Sequence, residues 1–264
     1  MSGFYAGWLE LREPADQAAR DPALVAALAD YLALLPSPAL LDIGCGTGST
    51  WRNVSPVLPG STRWHLLDHD VALLDQARRS IGPSELVTID RFDLTRLDDL
   101  PLDGMSVLSA SALFDLCSAS FCDRLVERLA AAKVGFYAAL TYDGLTDWTI
   151  PHALDAEVVA DFNRHQTGDK GFGPALGPGA TDHLQGALAA HGYRTSVQPS
   201  PWRLQNDQRA LQHAFLEGFE RPLAEIGRLG SGDVLAWLAF RKDAVDTPGS
   251  LCRVGHRDLL ALPG

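Results

Sequence analysis

The run Leu40-Leu41-Asp42-Ile43-Gly44-Cys45-Gly46-Thr47-Gly48-Ser49 constrains this chain more than any other segment: an apolar stretch ends in an acid, and glycines follow at positions 44, 46 and 48. A short unbroken apolar run suits a strand covered on both faces. Glycine, lacking Cβ, lets the backbone take positive φ and lie directly against a ligand, while the N–H groups that open the next helix face it. The predicted unit is a buried strand that turns sharply into a helix around a nucleotide-like ligand. A dinucleotide fingerprint, G-x-G-x-x-G, would need glycine at 49, where serine stands.

The elements downstream agree with that start. Arg63 to Asp68 reads as a second strand ending in an acid, and Asp70 caps a helix that runs on to Arg78. In doubly wound sheets an acid at this strand end accepts hydrogen bonds from ribose hydroxyls, which gives Asp68 that role. A short strand within Glu85 to Asp90 precedes Phe92-Asp93-Leu94. Met105 to Ala110 reads as a fourth strand, and its small terminal residues Ser109 and Ala110 permit close approach of a ligand. With a helix over Ser120 to Ala132 and a fifth strand over Val134 to Thr141, the alternation means parallel strands joined by right-handed crossovers.

The pattern Asp42-x-Gly44-x-Gly46-x-Gly48, with Asp68 and Asp93 behind it, resembles the first motifs of class I S-adenosylmethionine-dependent methyltransferases, over roughly residues 38–142. The resemblance implies an α/β, Rossmann-like doubly wound sheet of seven strands, mostly parallel with an antiparallel last strand and helices on both faces. It implies S-adenosylmethionine as cofactor and release of S-adenosylhomocysteine. It assigns Asp42, Gly44, Cys45, Gly46 and Gly48 to the donor loop and places Asp68 with its neighbour His69 at the ribose. Phe92, Asp93 and Leu94 fall at the adenine, with Asp93 accepting from its amino group, and Ser109 and Ala110 beneath the sulfonium. The chain departs from the family at Ser109-Ala110-Ser111-Ala112, where no Asn/Asp-Pro-Pro-Tyr/Phe stands, which argues against amino methylation of adenine or glutamine. No Pro-Cys pair is present, which argues against carbon methylation of cytosine.

With 264 residues, 46% of them apolar, the chain can bury a full core as one α/β unit with elaborations. A formal charge of −11 offers no electrostatic footprint for nucleic acid or an anionic membrane. The four cysteines, Cys45, Cys117, Cys122 and Cys252, form no C-x-x-C and have no histidines at zinc spacing, so reduced thiols, no metal site and a cytoplasmic location are expected. The amino terminus lacks a basic start before an apolar core, and no apolar run approaches membrane-spanning length.

The expected organisation is a helical leader over 1–37 covering the site, a donor-binding core over 38–142, a lid or acceptor insertion over 143–181, and closing helices, last strands and tail over 182–264. In the leader, Asp21 caps a helix with proline at its first position, stopped by Pro36-Ser37-Pro38. Beyond the core, Asp182 to His191 and Asp207 to Ile226 read as helices, Arg194 to Val197 and Asp233 to Phe240 as extended, and the apolar tail Leu251 to Leu260 as packing on the body or a partner. The least regular stretch, Tyr142 to Thr181, carries six glycines and is read as a lid, with Trp148, His152 and Phe162 as its apolar wall. Methyl transfer needs alignment and exclusion of water, and deprotonation is the one step that requires a side chain. His165 in the lid is the candidate base, with Asp143 and Tyr142 at the end of the fifth strand as alternative bases or orienters. Asp115 either faces the acceptor or caps a helix. The function expected is methyl transfer to a small molecule; methylation of a protein or peptide, and donor binding without turnover, remain alternatives.

Overall fold

Strand β1 (Ala39–Ile43) is buried at every residue, which is why its sequence is an apolar run rather than an alternation. In this computed structural model, which describes residues 6–264, β1 is the centre of a parallel sheet. Its companions are β2 (Arg63–Asp68), β3 (Val87–Arg91), β4 (Val107–Ser111) and the long β5 (Gly135–Trp148). The strand order is β3-β2-β1-β4-β5-β8-β6, with β8 (Cys252–Pro263) antiparallel to both β5 and β6 (Tyr193–Pro199). The short β7 (Trp202–Leu204) pairs with the first half of β8, on the side opposite β5, so β6 and β7 form one outer edge interrupted at Ser200. The expected sheet of seven thus becomes eight named strands by a kink in its last edge.

Helices cover both faces. On one, α5 (Ala119–Ala132) and α7 (Ala180–Ala190) pack over Leu41, Ile43, Leu108, Phe136 and Ala138. On the other, α2 (Pro22–Ala33), α3 (Ser49–Val54) and α4 (Val71–Ile81) pack over Leu40, Leu66, Val107 and Tyr137. The caps expected from sequence are formed: Asp21 accepts from Leu24 N–H, and Asp70 from the N–H groups of Ala72 and Leu73.

A third core joins the far half of β5 and β8 to α1 (Ala6–Ala19), α6 (Asp155–Gln166), α8 (Arg209–Ile226) and α9 (Ser231–Val245), around Trp202, Phe219 and Trp237. Here three expectations are corrected. Asp233 to Phe240 lies in α9, not in a strand: its apolar residues are continuous in sequence, but the buried ones of the helix, Val234, Trp237, Leu238, Arg241, Ala244 and Val245, follow the helical repeat. The antiparallel strand is the tail itself, which pairs on both edges as β8. The stretch 142–181 is mostly regular, since β5 runs on to Trp148 and α6 takes up Asp155 to Gln166. Two loops remain, 149–154 and 167–176, and the second is pinned by Asp169 Oδ1 accepting from Gly171 and Gly173 N–H at 2.7 and 3.1 Å and by Leu176 N–H donating to Cys117 O at 2.8 Å.

Candidate functional site

At the end of β1 the backbone is left-handed at Gly44 (φ 61°), Gly46 (φ 53°) and Gly48 (φ 84°), a sequence of conformations that side-chain-bearing residues resist. The loop is held from β2: Cys45 N–H donates to Leu67 O at 3.0 Å and Gly46 N–H to Asp68 Oδ2 at 2.9 Å. A Cβ at Gly46 would lie 3.1 Å from Leu9 of α1, and one at Gly44 would lie 3.6 Å from both methyls of Leu113. The Cβ-less face of the loop therefore looks onto an apolar wall supplied by α1 and by the turn after β4. Glu13 of α1 takes the Arg52 guanidinium through both oxygens, and Arg52 also reaches Thr47 O in the loop at 2.5 Å. The leader helix is thus fastened across the carboxyl end of the sheet.

Asp68 is buried, and its two oxygens accept from Gly46 N–H and Asp70 N–H, each at 2.9 Å. It closes the glycine loop, a task its place at the strand end did not disclose, and an ionised carboxylate still has lone pairs for ribose hydroxyls. His69 is half-exposed beside it, Nδ1 lying 3.3 Å from Asp68 Oδ1. Phe92 N–H donates to Asp68 O at 2.8 Å, which brings Phe92-Asp93-Leu94 next to that strand end. Asp93 is exposed and caps the 3₁₀ turn Leu94–Asp99, its Oδ1 accepting from Thr95 N–H and Oγ1; the Thr95 N–H holds its carboxyl below the ordinary range.

Ser109 and Ala110 lie deeper than the sequence implied. Ser109 is fully buried and spends its hydroxyl on Asp42 Oδ1 at 2.6 Å, and Ala110 packs in the core on the opposite face. The rim of β4 is Ser111-Ala112, where Ala112 has φ 50° and donates its N–H to Ala139 O. Asp42 is fully buried, with Oδ2 unpartnered among the described residues, and burial pushes its carboxyl up to about 7 against the Ser109 hydrogen bond. Next to it Arg20, at the end of α1, donates to Tyr137 Oη and Ser111 Oγ, both at 3.3 Å.

Farther along the rim, five elements bring together residues from distant parts of the sequence. Arg12 of α1 is paired with Asp16 through Nε and Nη2, at 2.8 and 3.1 Å, and its guanidinium stands 5.1 Å from the Trp202 ring centre. His256 of β8 lies opposite Tyr142 of β5 in the strand register, with ring centres 6.1 Å apart, and 5.0 Å from Trp202. Asp115, in the 3₁₀ turn Phe114–Leu116 after β4, is buried under the influence of Arg12 and of the Tyr142 N–H. Among the described residues Asp115 Oδ1, His256 Nδ1 and Trp8 Nε1 are buried without hydrogen-bond partners. Burial raises the Asp115 carboxyl to about 6 and, together with Arg12, lowers His256 to about 3, so the imidazole is uncharged at neutral pH.

Of the candidate bases, the structure brings Tyr142 into this group. Its hydroxyl donates to Asn163 Oδ1 of α6 at 2.9 Å, and burial pushes it up to about 12. His165, two positions on, has both ring nitrogens engaged elsewhere, Nε2 with Glu225 at 2.8 Å and Nδ1 with Lys170 at 3.2 Å. Asp143 makes a tight turn, Oδ1 accepting from Leu145 N–H at 3.0 Å, and its carboxylate lies against the Gly255 backbone so closely that no side chain fits there. Phe162 meets Tyr142, whereas Trp148 packs on Trp237 and His152 on Phe240, both parts of the α9 core. Arg12 and His256 were not singled out from sequence; no local motif marks either of them.

Fold and site together define an open, Rossmann-like α/β sheet with a glycine cradle at its central strand. No protein-family model matches the sequence, and no curated protein matches it. Among solved structures, a cyclopropane-fatty-acyl-phospholipid synthase-like protein from Lactobacillus casei is similar at 16% identity, covering 98% of this chain and 94% of that one with a TM-score of 0.55. The YcgJ protein of Bacillus subtilis is similar at 13% identity, covering 92% of this chain and all of that one with a TM-score of 0.51. At such identities the likeness establishes the fold. Among the described residues no helix is long and apolar enough to cross a membrane.

Proposed function

We propose that this protein is an S-adenosylmethionine-dependent methyltransferase acting on a small molecule. The observation that carries the reading is the loop at the end of β1: three left-handed glycines, with Gly46 N–H held by Asp68, two of which, Gly44 and Gly46, face Leu113 and Leu9 so closely that an added Cβ would touch them. A Cβ-less, N–H-bearing surface of this kind suits close approach of a nucleoside ligand's backbone-facing side. The donor, when bound, supplies a methyl group already activated on a sulfonium.

The chain's own residues then divide the work. Main chain at Gly44, Cys45, Gly46 and Gly48 borders the donor, and Asp68, beside His69, accepts from the ribose with the lone pairs that Gly46 and Asp70 leave free. Phe92 and Leu94 flank the adenine, and Asp93 offers Oδ2, the oxygen not used by Thr95. Asp42, with its unpartnered Oδ2, and Arg20 support the loop from beneath. Leu9 and Leu113 exclude water from the cradle.

A small acceptor is favoured by α1, which lies over the loop and is tied there through Glu13 and Arg52, leaving less room for a polypeptide substrate. The charge of −11 disfavours nucleic acid. Four free, buried cysteines accord with a reducing, cytoplasmic setting. Calorimetry with S-adenosylhomocysteine tests the donor assignment: a micromolar Kd, about 7 to 8 kcal/mol, is expected. Neither heat nor a thermal shift at millimolar ligand would reject it.

A further inference from the structure

We propose that the enclosure formed by Arg12, Asp115, Tyr142, Trp202 and His256 is the acceptor site, that it takes an amine, and that Asp115 receives the proton the nitrogen sheds on methylation. The proposal rests on the methyltransferase reading for its chemistry, but the choice of ligand rests on the enclosure itself. Three buried polar atoms, Asp115 Oδ1, His256 Nδ1 and Trp8 Nε1, have no partner among the described residues, although most buried polar atoms in proteins do. Asp115 and His256 both feel Arg12, whose charge is already matched by its two-point pairing with Asp16. His256, buried and beside Arg12, adds no charge at neutral pH. The remaining ionised group is Asp115, which is buried, feels Arg12 and the Tyr142 N–H, and keeps Oδ1 without a partner among the described residues.

A buried carboxylate oxygen left without a donor is costly, and a ligand N–H relieves that cost. An amine brings an N–H to Asp115 Oδ1, and the Trp202 and Tyr142 rings suit the ammonium that methyl transfer forms before its proton leaves. A carboxylate ligand would face repulsion. A simple alcohol would have to surrender a proton bound far more tightly than a carboxylate can draw away. The step balances: the nitrogen lone pair forms the N–CH3 bond, the S–CH3 bonding pair stays on sulfur to leave a neutral thioether, and the N–H proton passes to Asp115.

Proximity is built in by the backbone. Leu113, two residues before Asp115, lines the glycine cradle. The turn after β4 holds a non-glycine residue at positive φ, Ala112 at 50°, strain of a kind that gathers at functional sites.

The test uses the full chain and matched fragment sets, each a primary amine, its isosteric alcohol and its isosteric carboxylate, read by tryptophan fluorescence and ligand-observed NMR. Amines are expected to bind in preference to both partners, and Asp115→Asn to weaken them tenfold or more while S-adenosylhomocysteine binding is unchanged. Preference for alcohols or carboxylates, or amine binding indifferent to Asp115→Asn, overturns the proposal. Should that variant not fold, the wild-type protein decides: incubated with isotopically labelled donor and a metabolite extract, label on nitrogen supports the proposal and label on oxygen or carbon overturns it. Amine preference without any binding of S-adenosylhomocysteine would instead remove the methyltransferase reading and leave the amine site standing.

Discussion

Two buried carboxylates, Asp258 and Asp115, lie in neighbouring parts of the same rim and are treated in opposite ways. Asp258 in β8 accepts from Asp21 N–H at the α1–α2 junction (2.9 Å), from Leu140 N–H at the strained bend of β5 (2.8 Å), and from Ser200 Oγ at the kink between β6 and β7 (2.6 Å). One side chain thereby fixes a helix junction, a strand bend and an edge kink. Asp115 is almost as deeply buried, yet one of its oxygens meets no donor among the described residues. A knitted carboxylate is architecture, whereas an unfinished one is a place for something else.

The sharpest way to break this contrast is to substitute both acids. Asp258→Asn turns an amide N–H toward buried donors and is expected to cost about 2 to 4 kcal/mol of unfolding free energy, against about 1 kcal/mol or less for Asp115→Asn. Urea denaturation measures both, and equal losses would erase the distinction. The donor side gives the next largest effect. Asp68→Asn cannot keep both the Gly46 and Asp70 N–H groups satisfied, so S-adenosylhomocysteine should bind about 1 to 3 kcal/mol more weakly in calorimetry. Affinity at the wild-type level would show that Asp68 serves only the sheet.

The third effect is on pH dependence. The folded chain holds the Asp42 proton up to about pH 7, where the ordinary value is 3.8, so between those limits the folded state binds more protons than the unfolded one. Stability from this group is complete below about pH 4 and is lost as pH rises through 7. Thermal melts at pH 5 and pH 8 should therefore show the wild type losing ground to Asp42→Asn at the higher pH, and a constant gap would mean that Asp42 titrates normally. The smallest effect is expected at His165, whose pairing with the exposed Glu225 is weakened by solvent screening. His165→Gln should leave stability and turnover nearly unchanged. A hundredfold loss of turnover with donor affinity retained would extend the acceptor site to α6 and restore His165 as the base.

What the sequence determined by itself is the donor half. From β1 to the first part of β5, each element announces itself within about a dozen residues: the apolar run before Gly44, the Asp70 cap, the alternation of strand and helix. Such signals are local, because strand burial, capping and positive φ depend on near neighbours. Only the tertiary structure decided the other half. Val234 to Phe240 is apolar at nearly every position, so a strand and a helix fit equally until packing against α8 selects the helix. The tail becomes an inner strand only because β5 and β6 leave a gap that its backbone hydrogen bonds fill. The enclosure around Arg12, Asp115 and His256 draws on α1, the turn after β4 and the last strand. Each of these residues alone is an ordinary surface-type side chain; their meaning comes from being buried together, and burial is a property of the folded chain rather than of any segment.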